Sequence, residues 1–439
     1  MSANARYVAV LALRREAGKS LFIEDALNRL LKTSNLEGKN HALCRNITLG
    51  VARHWRTLQW LAYRKVICDS EPNLPETVLI ILMTGIFQLL FLDKVPSHAA
   101  VFETVELCRV FDCEKYKRLV NAILRSYTRE YNLTKQILLD LRQSDPALAC
   151  AFPDWLYNLL CGQFGKQKSL ELMDFANMTP KAIYLRTNTL KCGREDLLKR
   201  LELEIGSVSA VNYDFLPHQP FISVPNSVAP AHIPCFQEGL FYVQDPAACM
   251  SVHMMDPQPG ERILDACAAP GGKSTYMVQL MNNRGHIVAE DVENRIQLIK
   301  NNAKRLGCSI IEVADAKCGS SGEDSARKEA PYDRILLDVP CSNTGVLRRR
   351  VEARYRITDG EINRLLEVQS ALLNMADRRL KVGGVIAYST CSIVSDENEM
   401  QVRSFLSRHS NYEFKGERTL LPSAEHDGAY TAILVKKEA

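Results

Sequence analysis

Apolar residues recur every three or four positions along the first third of the chain, which is the spacing of amphipathic α-helices. The segments with this pattern are 21–31, 42–63, 77–92, 99–111 and 116–128. The stretch 78–92 is apolar on nearly every face, but it is shorter than the ~20 residues that a bilayer span requires. It is therefore predicted to be a buried core helix, and residues 1–140 are predicted to form an all-helical domain.

A regular alternation of short apolar runs and amphipathic helices begins after Pro257 and Pro259. The strand candidates are 262–266, 285–290, 310–314, 334–338, 384–389 and 429–435, and the helix candidates are 273–281, 294–306, 359–380 and 397–409. This pattern predicts a Rossmann-like α/β domain with a mostly parallel, doubly wound sheet over residues 241–439. Two further strands, 182–186 and 221–224, predict a linker and small α+β subdomain over residues 141–240.

Composition and charge limit the classes of protein that fit. A chain of 439 residues with 46% hydrophobic and 24% charged residues is typical of a folded multidomain protein. The net charge of +4 is uneven, because residues 1–145 carry 21 Lys/Arg against 15 Asp/Glu. A basic first third is compatible with an anionic partner. The fourteen cysteines contain no C-x-x-C pair, so we expect reduced thiols, no metal site, no membrane segment and a cytoplasmic location.

The first strand of the α/β region runs into a loop of small residues, Asp265-Ala-Cys-Ala-Ala-Pro-Gly-Gly-Lys-Ser274. Such a loop before a helix allows a ligand to approach the backbone closely. The dinucleotide motif G-x-G-x-x-G is absent, and the phosphate-binding G-x-x-x-x-G-K-[ST] is only half present, since Cys267 replaces its first glycine. An S-adenosylmethionine loop fits better. In that case Glu290, with Asp291 as the alternative, would accept the ribose hydroxyls, and Asp315 the adenine amino group.

Two cysteines and an acid follow later strands of the same region. Asp338 and Cys341 follow one strand, and Cys391 follows the next. Carbon 5 of a pyrimidine is a poor nucleophile, but addition of a thiolate to carbon 6 makes carbon 5 reactive towards a methyl sulfonium. An acid near N3 and the 4-amino group would stabilise the adduct, and a second thiol would assist release. A nearby basic cluster suits RNA phosphates, and its candidate residues are Arg348, Arg349, Arg350 and Arg354.

Together these motifs resemble a known family. The segments 265–273, 338–342 and 390–392, with Gln244-Asp245 before them, are similar to the motifs of RNA cytosine-5 methyltransferases of the RsmB/NOP family. The segments 87–90, 95–96 and 120–125 resemble the NusB-like RNA-binding domain of its RsmB (Fmu/Sun) type. Three positions depart from the usual family pattern: Glu290 in place of Asp, Arg350-Val351 in place of Asn-Pro, and Ala429 in place of an aromatic residue.

The resemblance implies a function and a set of site residues. It implies methylation of one cytosine of bacterial 16S ribosomal RNA by a monomeric enzyme, with Cys391 as the nucleophile, Cys341 as the thiol for release and Asp338 as the catalytic acid. It also implies that S-adenosylmethionine is bound by Cys267, Ala268, Ala269, Pro270, Gly271, Gly272, Lys273, Glu290, Asp315 and Asp338.

A second hypothesis belongs to another class of protein. In it the chain is a non-catalytic RNA-binding or ribosome-assembly factor on a vestigial methyltransferase fold, and the basic helical domain provides the binding. The intact cysteines and glycine loop argue against this hypothesis. A third hypothesis, an NTP-driven RNA enzyme, is disfavoured by Cys267 and Pro270 in the loop.

Overall fold

The structure is a computed structural model of the chain, and it describes residues 4–17, 23–66, 74–316 and 331–438. The chain divides into two compact units. Unit 1 consists of Met1–Asn177 and Arg350–Arg356, and unit 2 consists of Met178–Arg349 and Ile357–Ala439. The sequence placed the end of the helical domain near residue 140, but the compact helical unit continues to Asn177 and gains a short segment from far along the chain.

The helices and strands are numbered along the whole chain. The helices are α1 (Ala5–Ala17), α2 (Ile23–Thr33), α3 (Gly38–Arg53), α4 (Trp55–Arg64), α5 (Glu76–Phe91), α6 (Ser97–Val110), α7 (Lys117–Arg129), α8 (Tyr131–Ser144), α9 (Pro146–Ala149), α10 (Asp154–Asn177), α11 (Arg194–Ile205), α12 (Pro234–Gln237), α13 (Met250–Met255), α14 (Gly272–Leu280), α15 (Glu293–Leu306), α16 (Ala353–Arg356), α17 (Asp359–Arg379) and α18 (Glu399–Arg408). The strands are β1 (Ala182–Thr187), β2 (Ser209–Tyr213), β3 (Leu216–Pro225), β4 (Phe241–Val243), β5 (Arg262–Asp265), β6 (His286–Asp291), β7 (Ile311–Asp315), β8 (Tyr332–Asp338), β9 (Leu380–Thr390), β10 (Tyr412–Leu420) and β11 (Ala429–Lys436).

Unit 1 is helical, as the apolar periodicity predicts, and α5 lies at its centre. This helix is buried on almost every face, because its residues from Val78 to Leu90 are apolar apart from Thr84 and Gln88 and pack against α1, α3, α4, α6 and α7. The predicted helix 42–63 is interrupted at His54, whose φ of −106° and ψ of 21° separate α3 from α4. Within the described ranges, no helix is long and apolar enough to cross a membrane.

The segment Arg350–Arg356 packs into unit 1 although it is distant in sequence. The side chain of Val351 is fully buried in the core of the helical unit. Arg354 has no exposed surface; its guanidinium donates to Asn177 Oδ1 at 2.7 Å and to the carbonyl of Ala176 at 3.3 Å, and it lies over the ring of Phe152. The segment is therefore an integral part of unit 1.

Unit 2 contains two sheets. The larger has seven strands in the order β10-β11-β9-β8-β5-β6-β7, in which β5 to β9 pair in parallel and β11 and β10 pair antiparallel. The smaller is antiparallel, in the order β2-β3-β1-β4. The central strands of the large sheet are buried because helices cover them, which agrees with the continuous apolar runs of their sequences. The Rossmann-like sheet predicted from the sequence is confirmed.

Candidate active site

Five parallel strands of unit 2 end along one edge of the large sheet. Their last residues are Asp265, Asp291, Asp315, Asp338 and Thr390, on β5, β6, β7, β8 and β9. Because parallel strands all point the same way, the loops that follow them gather at this edge. The glycine loop, the strand-end acids and both predicted catalytic cysteines therefore come from neighbouring positions of one surface.

The loop after β5 leads directly into α14. Asp265 is fully buried, and Ser274 of α14 donates to its Oδ2 at 2.6 Å. Burial raises the pKa of Asp265 to about 7, and the hydroxyl of Ser274 opposes this shift. Gly271, with a φ of +96°, occupies the left-handed region immediately before α14, where a side chain would be strained. The loop thus presents backbone groups at the start of a helix.

Cys267, in the middle of this loop, is not a reactive thiol. Burial raises the pKa of its thiol, and the carboxylates of Asp338, Asp265 and Asp291 raise it further. A thiol that stays protonated is a poor nucleophile. The position of Cys267 is compatible with a role in lining the ligand site.

The two candidate acids at the end of β6 have different surroundings. Arg379 of α17 donates to both carboxylate oxygens of Glu290, at 2.7 and 2.8 Å. Asp291 accepts from the backbone N–H of Ala269 in the loop at 2.8 Å. Adjacent residues of a strand point to opposite faces of the sheet, so only one of the two carboxylates faces the loop. That carboxylate belongs to Asp291, whereas the sequence analysis favoured Glu290.

Lys273 and Asp338 form an ion pair across the loop ends of β5 and β8. Lys273 Nζ donates to Asp338 Oδ2 at 2.6 Å. Burial alone would lower the pKa of Lys273, but the charge and hydrogen bond of Asp338 outweigh it and the pKa is raised, with a further contribution from Cys391. The ammonium group therefore stays charged beside the carboxylate of Asp338.

The two predicted catalytic thiols are in contact. Cys341 Sγ lies 3.3 Å from Cys391 Sγ, and both side chains are half-buried. The hydrogen bond with Cys391 and burial together hold the pKa of Cys341 well above its usual value. The pair therefore keeps a proton on Cys341.

Asn343 and Gly345 fix the loop after β8 against the loop after β9. Asn343 lies with its Oδ1 at 3.2 Å from Cys391 Sγ and donates through Nδ2 to the carbonyl of Cys341 at 2.9 Å. The backbone N–H of Gly345 donates to the carbonyl of Cys391 at 2.9 Å. A Cβ at this glycine would lie 2.6 Å from that carbonyl oxygen, so a larger residue would force the loops apart. The sequence analysis missed both residues, although Asn343 and Gly345 follow Cys341 directly in the chain.

Arg186 is a third residue that the sequence analysis missed. It is fully buried on β1, donates to the carbonyl of Gly272 at 2.7 Å and to Thr275 Oγ1 at 2.9 Å, and also donates to Gln244. Its guanidinium lies between the rings of two tyrosines, Tyr242 and Tyr276. The small sheet therefore supports the start of α14, and the Gln244 of the leading motif takes part in this support.

The predicted RNA-binding arginines have different environments. Arg349 forms ion pairs with Asp427 at 2.9 Å and with Asp245 at 3.2 Å. Arg348 and Arg354 are buried, which disfavours contact with an RNA phosphate, and their role in RNA binding stays a prediction. The guanidinium of Arg354 joins α16 to the end of α10. Arg350 is exposed, and its role in RNA binding stays a prediction.

The sheet order and the residues along its carboxyl edge are those of a Rossmann-like methyltransferase, and comparison with known proteins agrees. A family model described as 16S rRNA methyltransferase RsmB/F matches residues 252–432, and the NusB family model matches residues 3–129.

Individual relatives extend the likeness over the whole chain. The chain is 33% identical to a probable ribosomal RNA small subunit methyltransferase B from Synechocystis sp., and 30% identical to the ribosomal RNA small subunit methyltransferase B of Yersinia pseudotuberculosis, with 99% of each chain covered in both cases. The structure of NSun6 from Pyrococcus horikoshii with SFG has a TM-score of 0.58 and 21% identity, covering 66% of this chain and 99% of that one, which shows a shared fold. The chain belongs to the RsmB/F family of 16S rRNA methyltransferases.

Proposed function

We propose that the protein transfers the methyl group of S-adenosylmethionine to carbon 5 of one cytosine in 16S ribosomal RNA. The observation that carries this proposal is the contact between Cys341 and Cys391 at the ends of two parallel strands, beside the Lys273–Asp338 ion pair. A methyltransferase that acts on an oxygen or an exocyclic nitrogen has no need of a nucleophilic thiol. Methylation of carbon 5 of cytosine, in contrast, requires a nucleophile that activates the ring. The names of the two relatives support ribosomal RNA of the small subunit as the substrate.

The residues of the site suit each step of this reaction. The thiolate of Cys391 adds to carbon 6, and the ring electrons pass to carbon 5, which takes the methyl group and releases S-adenosylhomocysteine. As the thiolate adds, N3 takes up a proton, which it gives up again on release. The carboxylate of Asp338, held in place by Lys273, accepts hydrogen bonds from N3–H and the 4-amino group and so stabilises the adduct. Loss of the proton from carbon 5 then expels the Cys391 thiolate, a step that Cys341 assists. Cys341 holds a proton in the resting pair, and it must release this proton before its thiolate can act as a base.

The cofactor is assigned to the loop of residues 267–273, together with Asp291, Asp315 and Asp338. S-adenosylmethionine supplies the electrophilic methyl sulfonium, and its ribose hydroxyls are donors that a strand-end carboxylate accepts. Asp291 suits this role because its carboxylate faces the loop, and the parallel pairing of β6 with β7 sets Asp315 beside it. Glu290 is instead assigned to the ion pair with Arg379. The expectations of a monomer and of a cytoplasmic location complete the proposal.

The nature of the product tests the proposed function. Purified protein, S-adenosylmethionine with a labelled methyl group and an unmodified 16S RNA transcript should give 5-methylcytidine as the labelled nucleoside after digestion. A fragment of 23S RNA, transcribed to the same length, serves as the control and should stay unlabelled. Label in any other nucleoside would contradict the proposal. Binding of RNA without heat on titration with S-adenosylmethionine would instead favour the non-catalytic assembly factor.

The assignment of the ribose carboxylate gives a separate prediction. Asp291→Asn should raise the Kd for S-adenosylmethionine about 30-fold, because hydrogen bonds to a charged group contribute about 2 kcal/mol. Glu290→Gln should change this Kd less than about threefold and lower the Tm instead, because it breaks the ion pair with Arg379. Isothermal titration and thermal melting of both variants measure the two effects. The reverse pattern would mean that Glu290, and not Asp291, binds the ribose.

A further inference from the structure

Two adjacent residues, Glu397 and Asn398, hold the two cysteine segments from the same side. The Cys341 segment is residues 340–344, and the Cys391 segment is residues 390–394. Glu397 and Asn398 lie just before α18, and their side chains are almost completely buried, with exposed fractions of 0% and 1%. They do not touch the reacting atoms in the proposed chemistry.

Glu397 binds the Cys341 segment. Its Oε1 accepts the backbone N–H of Ser342 at 2.8 Å, and its Oε2 accepts the hydroxyl of Ser342. Gln369 of α17 donates to Glu397 at 3.2 Å and to the carbonyl of Pro340 at 2.9 Å. The peptide groups on both sides of Cys341 are therefore fixed, one by Glu397 directly and the other through Gln369.

Asn398 binds the Cys391 segment in the same manner. Its Oδ1 accepts the hydroxyl of Thr390 at 2.6 Å, and its Nδ2 donates to the carbonyl of Ser392 at 3.0 Å. These two residues flank Cys391 in the chain. One side chain therefore fixes both sides of the second cysteine, and it is covalently joined to the residue that fixes the first.

From this arrangement we infer that Glu397 and Asn398 form a positioning pair that sets the distance between the two thiols. The inference rests on the proposed function, in which Cys391 and Cys341 act in succession on neighbouring atoms of one ring. Such chemistry needs the reacting atoms within about 3–3.5 Å of each other, and a displacement of about 1 Å lowers a rate about 100-fold. Because the two side chains hold different segments, their loss affects different steps. Loss of Glu397 impairs release, and loss of Asn398 impairs attack.

The test compares Glu397→Ala and Asn398→Ala with Cys341→Ala and Cys391→Ala. Turnover should fall about 100-fold in both positioning variants. Glu397→Ala should accumulate a covalent protein–RNA adduct on a denaturing gel, as Cys341→Ala does, whereas Asn398→Ala should form little adduct. Glu397→Gln should recover most of the turnover, because its amide oxygen still accepts the N–H of Ser342. Gln401→Ala is the matched control: Gln401 is also buried, lies on α18 and donates to the carbonyl of Leu366 at 2.7 Å.

A second measurement needs no RNA. Dibromobimane links two thiols that lie close together, and mass mapping of peptides identifies the Cys341–Cys391 link. The link should form about tenfold more slowly in Glu397→Ala and Asn398→Ala than in the wild type and the Gln401→Ala control. Equal linking rates, or loss of turnover in both variants without a difference in adduct, would overturn the positioning pair. If Cys341→Ala itself traps no adduct, the fault lies with the proposed thiol mechanism, and the linking rates alone then decide on the positioning pair.

Discussion

Replacing Cys391 with alanine should lower methyl transfer by about 10⁴-fold or more, because without the thiolate carbon 5 of cytosine has no means of activation. Replacing Cys341 should lower turnover and leave the methylated base attached to Cys391, since the release step fails after the methyl group has been transferred. A methylation assay with a denaturing gel separates the two outcomes. The first variant gives free RNA without label, and the second gives labelled RNA of retarded mobility.

Because the two sulfurs are in contact, their positions do not distinguish their roles, and the comparison of the two variants does. At 3.3 Å either thiol is close enough to reach a base that the other can reach, so the phenotypes alone order their roles. Cys192→Ala is the matched control, because Cys192 is also a half-buried thiol of unit 2, but it hydrogen-bonds to the backbone carbonyls of Asn188, just after β1, and Leu240, just before β4. An adduct in Cys391→Ala and none in Cys341→Ala would exchange the two roles. Normal methylation by both would remove the thiol mechanism.

Asp338→Asn should lower kcat by about 10³-fold, within the range typical of the loss of an acid–base group. The substitution keeps the shape of the side chain but removes the charge that we propose faces the base, and it leaves the partly buried ammonium of Lys273 without its counter-ion. Single-turnover kinetics measure the effect. In the Cys341→Ala background, where the adduct accumulates, Asp338→Asn should slow adduct formation by a similar factor.

The same strand provides the control for Asp338. Asp333, near the other end of β8, pairs with Lys381 at 2.7 Å, so Asp333→Asn also breaks a lysine–aspartate pair but lies away from the strand-end loops. Its kcat should stay within about twofold of the wild type, because the pair is partly exposed to solvent and such a pair contributes little. Equal losses in both variants would mean that Asp338 acts through the stability of β8 and not in the reaction.

The sequence predicts the parallel strands of unit 2 well, but it misses β10 at one edge of the large sheet and both edge strands of the small sheet, β2 and β4. The buried strands β5, β6 and β8 are short apolar runs, and such runs have few alternatives to burial in a sheet. Strand β10 alternates charged and apolar residues on an exposed edge, and β4 has only three residues. Neither pattern differs enough from that of a loop, because the partner strand supplies most of the stabilisation of an edge strand.

A site residue is predictable from the sequence when a single residue of the required type follows a strand. It is less predictable when the direction of a side chain determines which of two adjacent residues faces the site. The positions of Asp338, Cys341 and Cys391 after strand ends mark them as candidates, whereas the separate roles of the two cysteines come from the family resemblance. The choice between Glu290 and Asp291 depends on which face of β6 each occupies, and a shift of one residue in the end of the strand reverses it. Arg354 looks like a solvated or RNA-facing charge until Asn177, its partner, is known. A sequence pattern gives no information about a partner so distant in the chain.

The segment Arg350–Arg356 has a consequence for how the protein is made. The ribosome must synthesise residues 178–349 before this segment emerges. Throughout that time the nascent helical unit lacks the buried side chain of Val351 and the guanidinium of Arg354 that binds Asn177. The core of unit 1 is therefore completed only after most of the large sheet of unit 2 has been translated. A gene cut after codon 177 would separate the helices from a part of their own interior.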